Sequence, residues 1–291
     1  MPSADDKAKR FRKLHERDGI FVMPNPWDAG TARILAAHDF EALATTSAGL
    51  AFTLGRPDSE WLVSRDEAMA HAKSIVDATD LPVSADLESG FGDSPEDVAE
   101  TIRLAMDIGL AGASIEDASG DPNDPLYNIT LATERIQAAR EAIDAAQSPF
   151  VLTARAECFF VNSFDPLEDS IRRVRAYEKA GADVVYVPGL VKSIDIHAVT
   201  HAVTVPVNAL AGIGEKPLSV EKLENLGVKR ISLGSVLSRA AMGAFLHAAQ
   251  QIRDHGTFDF AIDAAAYEAI SELLRPWNEA RARKTEASKS D

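Results

Sequence analysis

The sequence predicts one (β/α)8 TIM barrel, and three observations lead to this α/β fold class. The chain has 291 residues, a length that suits a single barrel. Short apolar stretches alternate with amphipathic stretches from one end of the chain to the other. Eight such strand–helix units can be counted, and strands that are apolar on both faces are typical of a parallel sheet covered by helices.

The eight predicted strands are short and rich in β-branched residues. In chain order they span 20–24, 41–46, 81–86, 111–116, 150–155, 182–188, 205–210 and 229–234. Their even distribution favours a closed barrel over an open sheet.

Helical periodicity fills the intervals between the strands. Residues 95–108 carry apolar side chains at helical spacing, and residues 167–180 repeat the pattern. The segment "DSPEDV" predicts a helix start, whereas the glycines of "AGAD" and "NLGVKR" are typical of helix ends. We assign 1–255 to the barrel and 256–291 to a helical extension and polar tail of the same domain. We expect the tail from residue 280 to fray.

Composition and charge exclude several functions. The formal net charge is −15 and no basic patch is evident, which disfavours nucleic acid and anionic membranes as partners. The single cysteine, Cys158, permits no intrachain disulfide, as expected in a reducing compartment. Neither a run of about 18 apolar residues nor an apolar signal core is found. We therefore expect a cytoplasmic protein.

The carboxyl ends of the strands form the active-site face of such barrels. The stretch "SADLESGFGD" places Asp86 and Glu88 at the end of the third strand, and Glu116 ends the fourth. Carboxylates gathered at one mouth repel one another and raise each other's pKa values, and a hard divalent cation relieves this. The cluster therefore predicts a Mg²⁺ site, with Mn²⁺ as an alternative ion.

Other residues near the mouth have competing interpretations. Arg155 would bind a substrate carboxylate in forked geometry or form a structural salt bridge. The "TSAG" stretch, 46–49, would offer amides to a planar anion or form a tight turn. The glycines of "AGIGEKP" and "LGSVLSR" would suit a phosphate or serve only the backbone. We expect Asp93 and Asp97 to be solvated or capping residues, and Cys158 to be buried.

The segments "SADLESGFGD", "SIEDAS" and "TARAE" together resemble the isocitrate lyase/phosphoenolpyruvate mutase superfamily. The likeness runs from "MPNPWDAGTARIL" to "GSVLSRAAMGAF". It implies a (β/α)8 barrel whose last helix is swapped with a neighbouring subunit in a homodimer or homotetramer. It also implies that Mg²⁺ and a small 2-oxo acid, or its enolate, are the ligands.

The resemblance also assigns the site residues. Asp86 would bind the metal directly. Asp58, Glu88 and Glu116 would hold it through waters, and Glu88 stands where many members have aspartate. Arg155 would pair with the substrate carboxylate, and it joins Asp58 and Glu116 as a predicted catalytic residue. The other predicted substrate-binding residues are Ser47, Ala48, Gly49, Trp27, Asp28 and Asn208, the last near the outer edge of the pocket.

The loop after the fourth strand departs from the family pattern. Isocitrate and methylisocitrate lyases carry a lysine–(lysine or arginine)–cysteine–glycine–histidine run there, and its cysteine is the catalytic acid/base. This chain has "GDPNDPLYN", without cysteine, histidine or lysine. The mutases and phosphonopyruvate hydrolases also use a lysine in this loop, so the departure disfavours both chemistries.

The step that all family members share, formation of a metal-bound enolate, does not depend on this loop. Mg²⁺ and Arg155 would bind a 2-oxo acid, and a bond to its third carbon would break to give a metal-bound enolate. We predict a carbon–carbon lyase that is oxaloacetate decarboxylase-like or performs a retro-aldol cleavage, with Tyr127, Tyr186 or a metal-bound water as proton donor. The alternatives are phosphorus–carbon chemistry, (methyl)isocitrate cleavage, and 2-oxo acid binding without fast turnover.

Overall fold

The computed structural model describes residues 2–58, 60–161 and 163–287, with side chains as far as Trp277 in the last helix. It confirms the predicted (β/α)8 barrel. The strands are β1 (Phe21–Met23), β2 (Leu43–Ala44), β3 (Val83–Asp86), β4 (Gly112–Glu116), β5 (Val151–Arg155), β6 (Val184–Tyr186), β7 (Val207–Leu210) and β8 (Arg230–Ser232). Each of them lies within its predicted range.

Helices follow the strands around the barrel. They are α1 (Ala4–Glu16), α2 (Ala29–Ala37), α3 (Ser47–Thr53), α4 (Arg65–Val76), α5 (Pro95–Asp107), α6 (Ile129–Ala145), α7 (Pro166–Lys179), α8 (Ser193–Thr200), α9 (Val220–Asn225), α10 (Val236–His255) and α11 (Tyr267–Ala287). A short 3₁₀ helix, Asp259–Asp263, lies between α10 and α11.

The sheet is parallel throughout, and β1 pairs with β8. On the remaining side, the Ala44 N–H donates to the Pro24 carbonyl at 3.0 Å and joins the end of β1 to β2. The largest apolar cluster lies between the strands and the surrounding helices. All strands therefore direct their carboxyl ends to one face of the barrel, where the predicted site residues meet.

Local sequence sets the helix starts as expected. Ser94 and Asp97 form a reciprocal capping box at the start of α5, with Pro95 in its first turn. This confirms Asp97 as a capping residue. Because each helix begins soon after a strand ends, such caps determine how the chain leaves the site face.

Helix α1 seals the amino-terminal end of the barrel. Phe11 and Leu14 are buried in a cluster with Phe21 and with the first residues of β5 and β6. A Cβ at Gly112 would lie 2.9 Å from Phe11 Cε1 and 2.6 Å from the Val151 carbonyl, so only glycine lets the helix approach this closely. The barrel interior is therefore closed from below.

The C-terminal extension is helical. Helix α11 contacts α2, with the Arg33 guanidinium 5.4 Å from the centroid of the Trp277 ring. The helix continues to Ala287, a segment rich in strong helix formers. The expected fraying from residue 280 stays a prediction. Residues 288–291 lie outside the described residues. The swap of the last helix concerns a second subunit and stays a prediction.

Among the described residues, every helix is too short or too polar to cross a membrane.

Candidate active site

Two adjoining cavities open at the carboxyl ends of the strands. The inner cavity, of about 360 Å³, extends into the barrel and is lined by residues of all eight strands. The outer cavity, of about 390 Å³, lies under the loop that follows β4. Ser47, Asp58, Arg155 and Phe160 line both cavities. The predicted site residues Asp86, Glu88 and Glu116 lie on these walls as well.

Arg155 lies at the centre of a carboxylate cluster. Its Nη1 is 3.1 Å from Glu116 Oε2 and 3.5 Å from Asp86 Oδ1, and its Nε donates to Glu157 Oε1. Burial disfavours the charge of the guanidinium, but the carboxylates hold the pKa of Arg155 well above its ordinary value. One guanidinium therefore faces three carboxyl groups. Arg155 thus forms structural salt bridges, one of its two predicted roles. It also lines both cavities, as binding of a substrate carboxylate would require.

Asp86 is fixed by the start of α3. Its Oδ2 accepts hydrogen bonds from the Ser47 hydroxyl at 2.8 Å and the Ser47 N–H at 3.2 Å. Its own N–H donates to Thr45 Oγ1 at 3.0 Å. The end of β3 and the loop after β2 are thus locked together. The resemblance placed Ser47 and Asp86 in one site, and the structure brings them into direct contact.

Glu88 is held in an unusual backbone conformation. Its φ is +49°, in the left-handed region, which costs a non-glycine residue about 1–2 kcal/mol. The Glu88 carbonyl accepts from the Glu116 N–H at 2.9 Å, and this bond extends the β3–β4 pairing beyond the strands. Backbone strain of this kind is common at functional sites. Here it directs the Glu88 side chain towards the outer cavity.

Arg135 and Tyr127 anchor the loop that carries Glu88. Arg135 donates to the carbonyls of Ser89, Gly92 and Asp93, and its guanidinium lies 4.2 Å from the centroid of the Tyr127 ring. The Tyr127 hydroxyl donates to Asp93 Oδ1 at 2.6 Å. Tyr127 lines neither cavity. In this position the Tyr127 side chain supports the loop from behind, and its role as a proton donor stays a prediction.

The cluster carries excess negative charge. Burial, followed by the charges of Asp86 and Asp58, raises the pKa of Glu88 to about 7. Burial and the neighbouring Glu157, Asp86 and Glu88 raise the pKa of Glu116 despite the proximity of Arg155. Such carboxylates resist ionising together, and a cation among them would stabilise their charged forms.

Oxygen donors in this arrangement fit a hard divalent cation. Among the residues that the structure describes, no three acidic, histidine or cysteine side chains converge closely enough to enclose an ion by themselves. Mg²⁺ commonly retains several waters and takes only one or two protein carboxylates directly. The donor set therefore fits Mg²⁺ held by Asp86, with Asp58, Glu88 and Glu116 acting through waters, as the resemblance implies.

Three predicted substrate-binding residues lie behind the cavity wall. A Cβ at Gly49 would be 2.5 Å from Thr46 Cγ2 and 3.0 Å from Trp27 Cβ, so Gly49 packs against its neighbours. Asp28 forms a capping box with Thr31 at the start of α2. Gly49, Trp27 and Asp28 line neither cavity, whereas Ser47 and Ala48 line the inner one.

The loop after β8 is engaged by Asn25. Asn25 Oδ1 accepts from the Leu233 N–H at 2.8 Å and the Gly234 N–H at 3.0 Å. These two backbone amides are therefore already bonded within the protein. The structure therefore favours the backbone interpretation of the glycine in "LGSVLSR".

Asn208 lies deep in the barrel, not at the outer edge of the pocket. It is 2% exposed, donates to Ser232 Oγ at 2.9 Å, and accepts from Arg230 Nε at 2.8 Å. Sequence reasoning missed Arg230, and it missed Arg239, which also lines the inner cavity. Strand alternation could have found Arg230, because it and Ser232 flank the outward-facing Ile231.

Comparisons with known proteins identify the family of the chain. The family model of phosphoenolpyruvate phosphomutase matches residues 11–253. A Burkholderia cenocepacia protein assigned as a lyase/mutase is 50% identical, covers 94% of this chain and 97% of its own, and superposes with a TM-score of 0.90.

Two further relatives have a stated activity. A 2-methylisocitrate lyase of Halalkalibacterium halodurans is 28% identical over 278 residues, which cover 92% of this chain and 91% of that one. An oxaloacetate acetylhydrolase, solved with its product oxalate, is 26% identical, covers 99% of this chain and 100% of its own, and has a TM-score of 0.85.

Proposed function

The chain belongs to the phosphoenolpyruvate phosphomutase family, within the isocitrate lyase/phosphoenolpyruvate mutase superfamily, and from this premise we propose that it is a Mg²⁺-dependent carbon–carbon lyase of a small 2-oxo acid. One observation carries the proposal. Arg155 faces Asp86 and Glu116 on the wall shared by two cavities, and Ser47 on the same wall donates to Asp86. This places a carboxylate-binding cation next to a set of oxygen donors suited to Mg²⁺.

Oxaloacetate is the substrate that we favour. The related acetylhydrolase acts on it by name. Breaking the bond between the third and fourth carbons releases CO2, and the electron pair moves towards the oxo oxygen at the second carbon. A proton must then reach the third carbon to give pyruvate. When bound, Mg²⁺ would supply positive charge that polarises the oxo oxygen.

The residues of the chain bind and orient the acid. Arg155 would pair with the carboxylate next to the oxo group, and Ala48 lies in the first turn of α3, where helix N–H groups lack intrahelical partners. Tyr186 lies in the inner cavity, with the Arg155 guanidinium 5.4 Å from its ring centroid. Burial raises the pKa of Tyr186 to about 12, so the phenol keeps its proton at neutral pH. Tyr186 therefore remains a candidate proton donor.

The loop after β4 distinguishes this reaction from its family alternatives. An antiparallel bridge between Ala118 and Leu126 closes the loop over the outer cavity, where Gly120, Asp121, Pro122 and Pro125 line the wall. None of them is the lysine, cysteine or histidine that the resemblance assigns to the other members. Decarboxylation needs no base to start, so it is compatible with such a loop. Phosphorus–carbon and (methyl)isocitrate cleavage stay as second candidates.

The test measures pyruvate and oxalate formed from oxaloacetate, with MgCl2 and with EDTA. Because Mg²⁺ alone decarboxylates oxaloacetate slowly, the Asp86→Asn protein at the same Mg²⁺ concentration is the background. We expect pyruvate release that requires both Mg²⁺ and Asp86. Oxalate in place of pyruvate would show hydrolysis instead, and phosphate release from phosphonopyruvate would show the mutase-type alternative. Tight oxalate binding without turnover of any of these acids would indicate a binding protein.

A further inference from the structure

We propose that Arg230 forms a second carboxylate site at the floor of the inner cavity, and that this site takes the far carboxylate of a four-carbon dicarboxylic 2-oxo acid. The inference deepens the proposed function and rests on it, since the near carboxylate is the one assigned to Arg155. Arg230 begins β8, is 2% exposed, and lines the cavity.

Each arm of the Arg230 guanidinium meets a neutral group. Nε donates to Asn208 Oδ1 at 2.8 Å, Nη2 donates to Thr153 Oγ1 at 3.0 Å, and Nη1 lies 3.3 Å from His15 Nε2. His15 Nδ1 is 2.9 Å from the Phe11 carbonyl, so Nδ1 carries the proton and Nε2 accepts from Arg230. A guanidinium has five N–H donors, and these three contacts leave donors for a ligand.

The charge of Arg230 lacks a carboxylate counterion among the described residues. Arg155 and Arg173 each have one, since Arg155 faces Glu116 and Arg173 Nη1 lies 3.1 Å from Asp117 Oδ2. The buried Arg135 has none either, but it donates to three backbone carbonyls. Burial lowers the pKa of Arg230 to about 9, and the side chain still keeps its proton at neutral pH. An unpaired buried cation is costly. A bound carboxylate would compensate it.

One row of side chains connects Arg230 to the proposed reaction centre. Arg155, Tyr186, Asn208 and Arg230 are successive register partners on β5 to β8, and all four line the inner cavity. Helix α1 closes the barrel beneath them. A ligand anchored at Arg155 therefore extends towards Arg230. Arg239, also on the wall of this cavity, is exposed to solvent.

The test compares two probes in calorimetric titrations with Mg²⁺ present. Oxalate is short enough to occupy only the Arg155 end, whereas L-malate is a four-carbon dicarboxylate. We expect Arg230→Gln to weaken malate binding by about tenfold to a hundredfold and to leave oxalate affinity within about twofold, because a hydrogen-bonded charge pair is lost for malate alone. Arg230→Lys should retain part of the malate affinity, and Arg239→Gln is the matched comparison.

An equal effect of Arg230→Gln on both probes, or no effect on either, would overturn the site. So would a selective loss of malate binding in Arg239→Gln instead. If Arg230→Gln does not fold, bromide soaked into wild-type crystals should give an anomalous peak at Arg230 that malate displaces and oxalate does not. A missing peak, or one that persists with malate, contradicts the proposal. Because these binding measurements need no turnover, their outcome is independent of the oxaloacetate assay.

Discussion

The Asp86 carboxylate accepts hydrogen bonds from Ser47 and also pairs with Arg155. It accepts two hydrogen bonds from Ser47 and lies 3.5 Å from the Arg155 guanidinium, so its position is fixed before any cation binds. Preorganisation of this kind reduces what a ligand must reorder on binding. The negative charge of Asp86, more than its shape, should therefore govern metal-dependent binding.

Replacing Asp86 by asparagine separates charge from shape. The amide side chain would keep a hydrogen-bond acceptor for Ser47 and lose the charge. We expect oxalate binding in the presence of Mg²⁺ to weaken by about 100-fold or more, measured by titration calorimetry, with an unchanged circular dichroism spectrum. Asp107→Asn, an exposed change at the end of α5, is the control and should leave affinity unaltered. Full affinity in Asp86→Asn would refute the metal assignment.

His15 makes the stability of the barrel depend on pH. Burial and the neighbouring charge of Arg230 lower the pKa of His15 to about 3, and Arg12 and Lys229 act in the same direction. The unfolded chain binds this proton near pH 6.5. Between these values the unfolded state therefore holds more protons, and the free energy of unfolding falls as the pH drops.

The expected loss from this residue is about 2 kcal/mol by pH 5. Urea unfolding of the wild type and of His15→Gln at pH 7.5 and pH 5 measures it, since glutamine does not titrate. The variant should lose about 2 kcal/mol less than the wild type over this interval. Equal losses in the two proteins would show that His15 is not held neutral.

Single residues differ in how well the sequence predicted them. Asp86, Glu116 and Arg155 each end a strand, and the carboxyl ends of parallel strands meet, so their convergence follows from order along the chain. Arg230 follows Lys229 in a basic pair, and such a pair is normally taken for surface. Only the register of β8 shows that Lys229 contacts loop carbonyls while Arg230 points inward.

At the scale of elements, the position of α1 is what the sequence leaves open. Its capping box at Ser3 and Asp6 sets its start, but the sequence does not show which surface it covers. That depends on Phe11 meeting the space left by Gly112, a contact between segments about 100 residues apart. Non-local packing of this kind leaves no periodic signal.

Removing the Phe11 ring should therefore destabilise the whole barrel. We expect Phe11→Ala to lower the free energy of unfolding by about 3–5 kcal/mol, because it leaves a cavity in a closed cluster. Chemical denaturation monitored by tryptophan fluorescence provides the measurement. Phe164→Ala removes a fully exposed ring and should change stability by less than about 0.5 kcal/mol. Similar losses in the two variants would mean that α1 is not part of the cooperative core.

At the scale of the whole molecule, several large apolar side chains near the C-terminus are exposed. The exposed side chains lie on α10, the 3₁₀ helix and α11, and they are Phe245, Leu246, Ile252, Phe258, Ile262 and Tyr267. Contiguous apolar surface commonly marks an interface between subunits. We expect a second copy of the chain to cover it, in a homodimer or homotetramer.

Light scattering after size exclusion tests this expectation. Phe258→Glu combined with Ile262→Glu should shift the wild-type oligomer towards monomer, because burying two carboxylates in an apolar interface is unfavourable. Ile194→Glu, on the exposed face of α8, is the control and should keep the wild-type mass. A monomeric wild type would contradict the expectation. Dissociation of the Ile194→Glu protein would instead indicate an interface that includes α8.

Because α1 closes the amino-terminal end of the barrel, ligands can enter and leave the inner cavity only at the carboxyl-terminal face. Whatever reaches Arg230 enters and departs by the same doorway, past Asp58 and Phe160. A molecule lodged at that doorway blocks the escape of anything beneath it. Bound molecules must then be released in the reverse of the order in which they entered.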